Sequence, residues 1–370
     1  MIRMYRRVAG VGLALTMLVA GCGHSSSTSQ GPATSSTPVP SVATSSTRAA
    51  SATSQAARDL PDPHTLRGLT EVPELPDPKP VEGSSAQKLP VTVTDVEGNK
   101  VTIKSTSRIL ALDLYGTLSR TLIGLGLGDK IVGRTVSSTE KQLHDRPVVT
   151  ENGHVLNVEA VAGLKPSVII ADRSVGPKEA LDQLRKSGIP VVLVDPHRSV
   201  DSTPQLIRTI ADAVGKPDAG EALVKRTQEQ IDQAKKQIAA WKPAKPMRVA
   251  FLYVRGNAGV FFILGSENGA SELIQGVGAD DVASDKGITT LVPANAESLV
   301  SINPDAIFVM RDGLASTGGM KGLLARAGVA NTTAGRKQRV ISIPDGISLS
   351  FGPQTGEVLT AVAKALYGVK

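Results

Sequence analysis

The chain has 370 residues, of which 41% are hydrophobic, 20% are charged and only 3% are aromatic, with a formal net charge of +7 and one cysteine. The positive charge is slight and dispersed, which argues against nucleic acid as a partner. A single cysteine excludes an internal disulfide and a thiolate metal cluster, so the fold must be stabilised by packing.

The N-terminus has the pattern of a secretory signal peptide. Three arginines within the first seven residues precede an apolar run, residues 8–19, that is too short to span a bilayer. Residues 18–22, ending in Cys22, resemble the lipobox of bacterial lipoproteins. This resemblance implies cleavage of residues 1–21, which lowers the charge to +4, and lipidation of Cys22. We therefore expect an extracytoplasmic protein fixed to the cell membrane through acyl chains on Cys22.

Residues 22–88 are predicted to form a lipidated, disordered tether. Up to residue 57 the segment consists of Ser, Thr, Ala and Pro with almost no large apolar residue, so it cannot bury a core. Residues 58–88 remain rich in proline and are expected to be extended. His64 lies in this segment and is predicted to be solvated.

The remaining residues are too many for one core and suit two lobes of ordinary domain size. Residues 91–94 and 101–104 alternate in polarity around a short turn, which predicts an opening hairpin. Short apolar strands then alternate with amphipathic helices, the pattern of an α/β fold with parallel sheets. The strands are predicted at residues 109–112, 167–171, 191–194, 249–252, 306–310 and 340–343.

An internal repeat supports the division into lobes. Residues 157–170, NVEAVAGLKPSVII, return 138 positions later as residues 295–308, NAESLVSINPDAIF. Each copy predicts a helix with an N-cap asparagine, a proline that ends the helix, and a buried strand. We assign residues 89–202 to an N-terminal lobe and residues 245–370 to a C-terminal lobe.

One long helix is predicted between the lobes, within connecting helices at residues 203–244. Residues 220–241 contain no proline, have no glycine after the first position, and place Leu223, Ile231, Ala234 and Ile238 on one stripe. A helical connector resists large hinge closure, so we expect only modest lobe movement. The predicted fold is α/β, with two Rossmann-like lobes joined by one long helix.

Two short motifs carry a resemblance to a known family. Residues 153–159 read GHVLNVE, and residues 251–256 read FLYVRG. Over residues 89–370 the chain resembles the class III, helix-linked substrate-binding proteins of bacterial metal-chelate ABC importers. Through the two motifs it resembles the haem-binding lipoproteins of actinobacterial haem uptake.

The resemblance implies transport and no enzymatic activity, with haem b as the transported ligand. It implies that His154 and Tyr253 are the axial ligands of the haem iron, with Arg255 beside the tyrosine. The implied partners are an ABC permease dimer with its ATPase and an upstream haem-donor protein, and the binding protein itself is expected to be a monomer.

The residue chemistry agrees with these roles. Ligands of open α/β sheets bind beyond the carboxyl ends of the strands, where Tyr253 is predicted to lie. Imidazole and phenolate would satisfy the two axial positions of ferric haem. Tyr253 and Arg255 share a face of an extended strand, where a guanidinium favours the phenolate. The alternatives are a solvated or capping role for His154 and a buried strand position for Tyr253.

Three further residues are assigned to the haem pocket. Met310 ends the second repeated strand and resembles a haem-contacting position, with a core methionine as the alternative. Arg173 and Arg311 are 138 positions apart and follow the two repeated strands, so we predict that they reach the haem propionates, with solvated arginines as the alternative. Thr290 stands where the resembling proteins often have an aromatic residue.

Glu159 and Glu297 are equivalent in the repeat and are predicted to lie on the outward end of each lobe. They resemble a pair of glutamates that docks such lobes onto arginines of a two-fold permease dimer. The alternative is that each glutamate only complements a helix dipole.

Three other functions fit the sequence less well. The first alternative is a protein of the same fold that binds a ferric siderophore or a corrinoid. A siderophore site, however, would require several arginines and aromatic residues. A lipid-anchored hydrolase would need a Gly-x-Ser-x-Gly elbow or a His-Glu-x-x-His motif, and the sequence contains neither. A zinc or manganese site would need a cluster of His or acidic ligands, and the two lobes contain only one well-placed candidate, a single histidine.

Overall fold

The computed structural model describes residues 60–82, 87–256 and 259–370. The predicted signal peptide, Cys22 and the tether up to residue 59 lie outside these residues. Among the helices of the described ranges, none is both long enough and apolar enough to cross a membrane.

The described residues form an alternation of strands and helices. The strands, in chain order, are β1 Leu69–Glu71, β2 Val91–Thr94, β3 Lys100–Ile103, β4 Ile109–Leu112, β5 Ile131–Gly133, β6 Thr150–Glu151, β7 Val155–Leu156, β8 Val168–Ala171, β9 Val191–Leu193, β10 Arg248–Arg255, β11 Val260–Ile263, β12 Asp280–Asp281, β13 Val292–Pro293, β14 Ala306–Met310 and β15 Val340–Ile343. The α-helices are α1 Thr117–Gly124, α2 Val158–Gly163, α3 Lys178–Lys186, α4 Thr203–Ala213, α5 Pro217–Trp241, α6 Ala270–Gly276, α7 Ala296–Ile302, α8 Arg311–Ser316, α9 Gly319–Leu324, α10 Thr333–Lys337, α11 Asp345–Ser348 and α12 Thr355–Tyr367.

The N-terminal lobe is built on a four-stranded parallel sheet in the order β5-β4-β8-β9. Every residue of β4, β8 and β9 is buried, which explains why these strands are apolar runs without alternation. The opening hairpin is confirmed, with β2 and β3 antiparallel and Val93 opposite Val101.

The C-terminal lobe contains a seven-stranded sheet in the order β1-β15-β14-β10-β11-β13, with β12 paired to β10. The central strands β10, β14 and β15 are parallel, while β11 runs antiparallel to β10. Phe251 and Phe308 pack edge to face in its core, with ring centroids 6.4 Å apart. The lobes are therefore both α/β, as the sequence predicts.

The internal repeat has a structural counterpart in α2 with β8 and in α7 with β14. Asn157 Oδ1 accepts the backbone N–H of Ala160 at 2.9 Å, and Asn295 Oδ1 accepts that of Ser298 at 2.8 Å, so both N-caps are confirmed. After each helix the residue before the proline, Lys165 or Asn303, has a positive φ, 45° and 35°. The two copies thus share their turn as well as their helix and strand.

The long connecting helix is confirmed as α5, which has 25 residues. Leu223, Ile231, Ala234 and Ile238, the predicted apolar stripe, are all buried. The helix contacts α4 on the side of the N-terminal lobe and α12 on the side of the C-terminal lobe. It therefore shares a core with both lobes.

The predicted tether is wrong over residues 60–82, which form an ordered segment that we call the strap. Its strand β1 adds to the edge of the C-terminal sheet, with Leu69 opposite Val340, and Val72 is fully buried. His64, predicted to be solvated, lies with Nε2 2.9 Å from the carbonyl oxygen of Lys245. The physical reason is that extended, proline-rich backbone can still pair with an unprotected sheet edge.

The strap continues from the C-terminal lobe to the N-terminal lobe. Arg311, which follows β14, donates to Glu74 Oε1 at 2.7 Å. Asp77 then accepts the backbone N–H groups of Lys141 and Gln142 at 2.8 and 2.9 Å. The strap is therefore a second connection between the lobes besides α5.

Candidate ligand-binding site

The carboxyl ends of both parallel sheets lie at the boundary between the lobes. Arg120 of α1 crosses this boundary, with Nε 3.3 Å from the carbonyl oxygen of Gly346 and Nη1 2.7 Å from Gln354 Oε1. Gly346 comes shortly after β15, and Arg120 comes shortly after β4. This boundary is where an open α/β protein binds its ligand.

Tyr253 and Arg255 lie at the carboxyl end of β10, which is longer than predicted and includes both residues. Strand β11 pairs with this extension and places Phe262 opposite Tyr253. The guanidinium carbon of Arg255 lies 5.2 Å from the centroid of the Tyr253 ring. Both side chains are partly buried, and their predicted proximity is confirmed by the structure.

Two other side chains complete the surroundings of Arg255. Its Nη2 forms an ion pair with Asp345 and lies 3.4 Å from the sulfur of Met310. Burial acts to lower the pKa of Arg255, but Asp345 and Tyr253 raise it above its ordinary value, so the guanidinium stays charged. Met310 is thus near the tyrosine and arginine, packed against the same core as Tyr253.

His154 lies on the N-terminal lobe at the tip of the β6–β7 hairpin. The turn uses left-handed backbone at Asn152 and Gly153, with φ of 48° and 87°, which glycine adopts without strain. The carbonyl oxygen of His154 accepts the N–H of Gly176 at 2.9 Å, which ties the hairpin to the loop after β8. The imidazole is exposed. The two short strands are not among those predicted from the sequence.

Arg173 and Arg311, which are predicted to reach the haem propionates, are each paired with carboxylates of the protein. Both oxygens of Glu97 accept from Arg173 at 2.8 Å, and Asp182 accepts at 3.0 Å. Arg311 is held by Glu74 and by the carbonyl oxygen of Val72. Each guanidinium is therefore committed to a carboxylate within the protein.

Glu159 and Glu297 lie in the first turns of α2 and α7, and both are exposed. Their equivalence in the repeat therefore extends to helix position and exposure. Thr290 is exposed in the segment before β13.

A buried polar cluster at the same boundary was missed by the sequence reasoning. Asp113 and Asp172 follow β4 and β8, and the guanidinium of Arg198 pairs with Asp172 and lies 3.9 Å from Asp113. Burial, with the neighbouring charge of Asp172, raises the pKa of Asp113 to about 7. Arg198 also lies 5.7 Å from the ring centroid of Tyr115, which packs against the core of the C-terminal lobe. The signal available was an aspartate directly after each of two predicted neighbouring strands.

A large cavity lies apart from His154 and Tyr253. A cavity of about 780 Å³ lies between the strap, α5 and α12, and its lining includes neither His154 nor Tyr253. Within the described ranges, no group of three or more His, Cys, Asp or Glu side chains is arranged to hold a metal ion.

The architecture is that of a two-lobed, helix-linked substrate-binding protein. It has two α/β lobes, one long connecting helix, and sheet ends that meet at a common boundary. The chain belongs to the periplasmic binding protein family, whose family model matches residues 114–346. Proteins of this family bind and deliver substrates.

Known proteins with similar chains extend this assignment. The haem-binding protein HmuT has a crystal structure with 49% sequence identity and a TM-score of 0.82, covering 84% of this chain and 100% of that chain. The uncharacterized ABC transporter substrate-binding lipoprotein YvrC of Bacillus subtilis (strain 168) is 27% identical over 280 residues, 75% of this chain and 86% of its own length. The cobalamin-binding protein of Halobacterium salinarum (strain ATCC 29341 / DSM 671 / R1) is 25% identical over 299 residues, 79% of this chain and 78% of its own length.

Proposed function

We propose that this chain is the lipid-anchored substrate-binding component of an ABC importer and that it captures ferric haem b at the lobe boundary. The observation that carries the proposal is the pair formed by Tyr253 and Arg255. A partly buried phenol at the carboxyl end of β10 has a charged guanidinium 5.2 Å from its ring. Tyrosinate is an accepted axial ligand of haem iron, and the nearby guanidinium would pair with its negative charge in the bound state.

Tyr253 and His154 are the proposed axial ligands, one from each lobe. The anionic phenolate offsets the charge of ferric haem, and the imidazole of the exposed β6–β7 hairpin supplies the second bond. Met310 lies beside Arg255 and offers a soft, polarisable contact for the porphyrin. Arg173 and Arg311 have no part in this proposal, because both are bound by carboxylates.

The comparison with HmuT supports these ligands. Solved structures of HmuT include variants in which one histidine, one tyrosine or one arginine is changed to alanine. In that protein the three residues are 99 and then 2 positions apart, the same separations as those between His154, Tyr253 and Arg255.

The second candidate ligand is a corrinoid, and the likeness to a cobalamin-binding protein is the observation that favours it. Gel filtration of residues 58–370 after mixing with haemin or with cyanocobalamin separates the two. We expect one haem to be retained per chain, with a six-coordinate ferric spectrum, and cyanocobalamin to be lost. Retention of cyanocobalamin without haemin would make the corrinoid the ligand.

Variants of the two ligands test the roles within the site. His154→Ala should leave haem bound through Tyr253 with a five-coordinate or water-ligated spectrum. Tyr253→Ala should reduce affinity more, because it removes the anionic ligand. His197→Ala is the matched control, since this histidine is also exposed on the N-terminal lobe and its substitution should change neither quantity. Identical affinity and spectrum in wild type and both ligand variants would disprove the assignment.

The remaining parts of the proposal concern partners. Cys22 carries the membrane anchor, and Glu159 and Glu297 dock the two lobes onto a two-fold permease dimer that is driven by its ATPase. The binding protein acts as a monomer that receives haem from an upstream donor.

A further inference from the structure

Asp345 holds Arg255 in place from the C-terminal lobe. One carboxylate oxygen forms the ion pair with Arg255, and the other accepts the backbone N–H of Asp312 at 2.8 Å. The two oxygens have separate partners from separate elements, so the carboxylate has one orientation. Its side chain is only 17% exposed, which strengthens the ion pair relative to one on the open surface.

The guanidinium of Arg255 depends on this carboxylate. Its other neighbours include the weak acceptor Met310 Sδ, at 3.4 Å, and the Tyr253 side chain, and neither is a carboxylate. Without Asp345, a partly buried cation would lack an anionic partner and would turn toward solvent. Its position over the Tyr253 ring would then be lost.

The next residue, Gly346, contacts the other lobe. Its carbonyl oxygen accepts from Arg120 Nε at 3.3 Å, and Arg120 is itself buried beside Glu140, 3.3 Å away. A side chain at Gly346 has no space, since a Cβ atom there would lie 1.9 Å from Thr139 Oγ1. The short helix α11, which begins at Asp345, is therefore fitted closely against the N-terminal lobe.

We infer that Asp345 is a positioning residue for the Tyr253 ligand, and that the Asp345–Gly346 dipeptide couples contact between the lobes to the bond between Tyr253 and the ligand's iron. Contact of Arg120 with Gly346 fixes α11, α11 fixes Asp345, and Asp345 fixes Arg255 over the tyrosine ring. Separation of the lobes, as on docking to a membrane partner, frees this helix and weakens the tyrosine–iron bond. This inference rests on the proposed function and adds a route for ligand release.

The test uses the full chain in detergent, loaded with haemin. The readouts are haemin affinity and the iron–phenolate stretching band in the resonance Raman spectrum, which a purely structural role would not shift. Asp345→Asn should shift the band and lower affinity by about 10-fold or more, as for other groups that orient a metal ligand. Asp345→Glu should restore part of both. Asp312→Asn is the control, because Asp312 contributes only its backbone N–H to Asp345.

Arg120→Lys tests the coupling from the other lobe, since it keeps a cation near Glu140 but removes the fork that reaches Gly346. It should shift the same band in the same direction while the melting temperature shows that the protein remains folded. An unchanged band in Asp345→Asn would overturn the positioning role, and an unchanged band in Arg120→Lys alone would overturn the coupling. If wild type shows no iron–phenolate band at all, the proposed ligands themselves are wrong.

Discussion

Arg173→Gln separates the ion-pair role seen in the structure from the ligand-binding role predicted from the sequence. Arg173 makes two bonds to Glu97 at 2.8 Å and one to Asp182 at 3.0 Å, and the three side chains are 20%, 32% and 35% exposed. Partly exposed ion pairs contribute about 0.2–1 kcal/mol each, and bidentate geometry lies at the upper end of this range. We expect the substitution to reduce the free energy of unfolding by about 1–2 kcal/mol.

Urea denaturation of residues 58–370 measures this loss, and haemin titration of the same samples measures ligand affinity. The denaturation midpoint should fall with an unchanged slope, and haemin affinity should equal that of wild type. Arg208→Gln is the control, because Arg208 forms a similar two-bond pair with Glu221 that is far more exposed and should matter less. Unchanged stability together with weaker haemin binding would refute the ion-pair reading and restore the predicted contact with the propionates.

Three further outcomes follow from the sequence and the structure. Cys22→Ala should leave ligand binding intact and release the protein from the membrane fraction; equal retention of the variant would contradict the lipid anchor. Reversing the charges of Glu159 and Glu297 together should abolish haem uptake by cells while the purified protein still binds haemin. Unimpaired uptake would mean that both glutamates only complement their helix dipoles. Asp113→Asn should raise the melting temperature by an amount that grows between pH 4 and pH 7. The raised pKa keeps the buried Asp113 carboxyl protonated over this range while the same group ionises in the unfolded chain, so wild type loses stability as the pH rises. A difference that does not vary with pH would contradict this expectation.

The strands and the connecting helix could be predicted because their sequences carry a strong physical signal. Strands β4 and β14 are continuous apolar runs, and β15 is apolar apart from Ser342. The structure gives all three strands the predicted bounds. The long helix α5 buries all four residues of the predicted apolar stripe, whose helical spacing no strand could bury together. In both cases local pattern and tertiary burial agree.

The elements that were missed have weak local signals. Strands β6 and β7 have two residues each, and their hairpin depends on backbone turns at Asn152 and Gly153. The strap was read as tether because its prolines favour extended backbone, but the partner of β1 is β15, about 270 residues further along the chain. Such long-range pairing leaves no periodic pattern in the sequence.

The candidate site likewise combines features that the sequence could predict with features that it could not. The proximity of Tyr253 and Arg255 could be predicted, since residues two apart on a strand share a face. The partners of the predicted pocket arginines could not, because Glu97 lies 76 positions from Arg173 and Glu74 lies 237 positions from Arg311. The role of Asp345 could not be predicted for the same reason, because it lies 90 positions from Arg255, its ion-pair partner.

The most direct test of the central claim is a crystal structure of residues 58–370 grown with haemin. The proposed function predicts one haem at the lobe boundary, with its iron bonded to the phenolate oxygen of Tyr253 on one face and to the imidazole of His154 on the other. A haem bound elsewhere, or iron bonded to neither side chain, would contradict it.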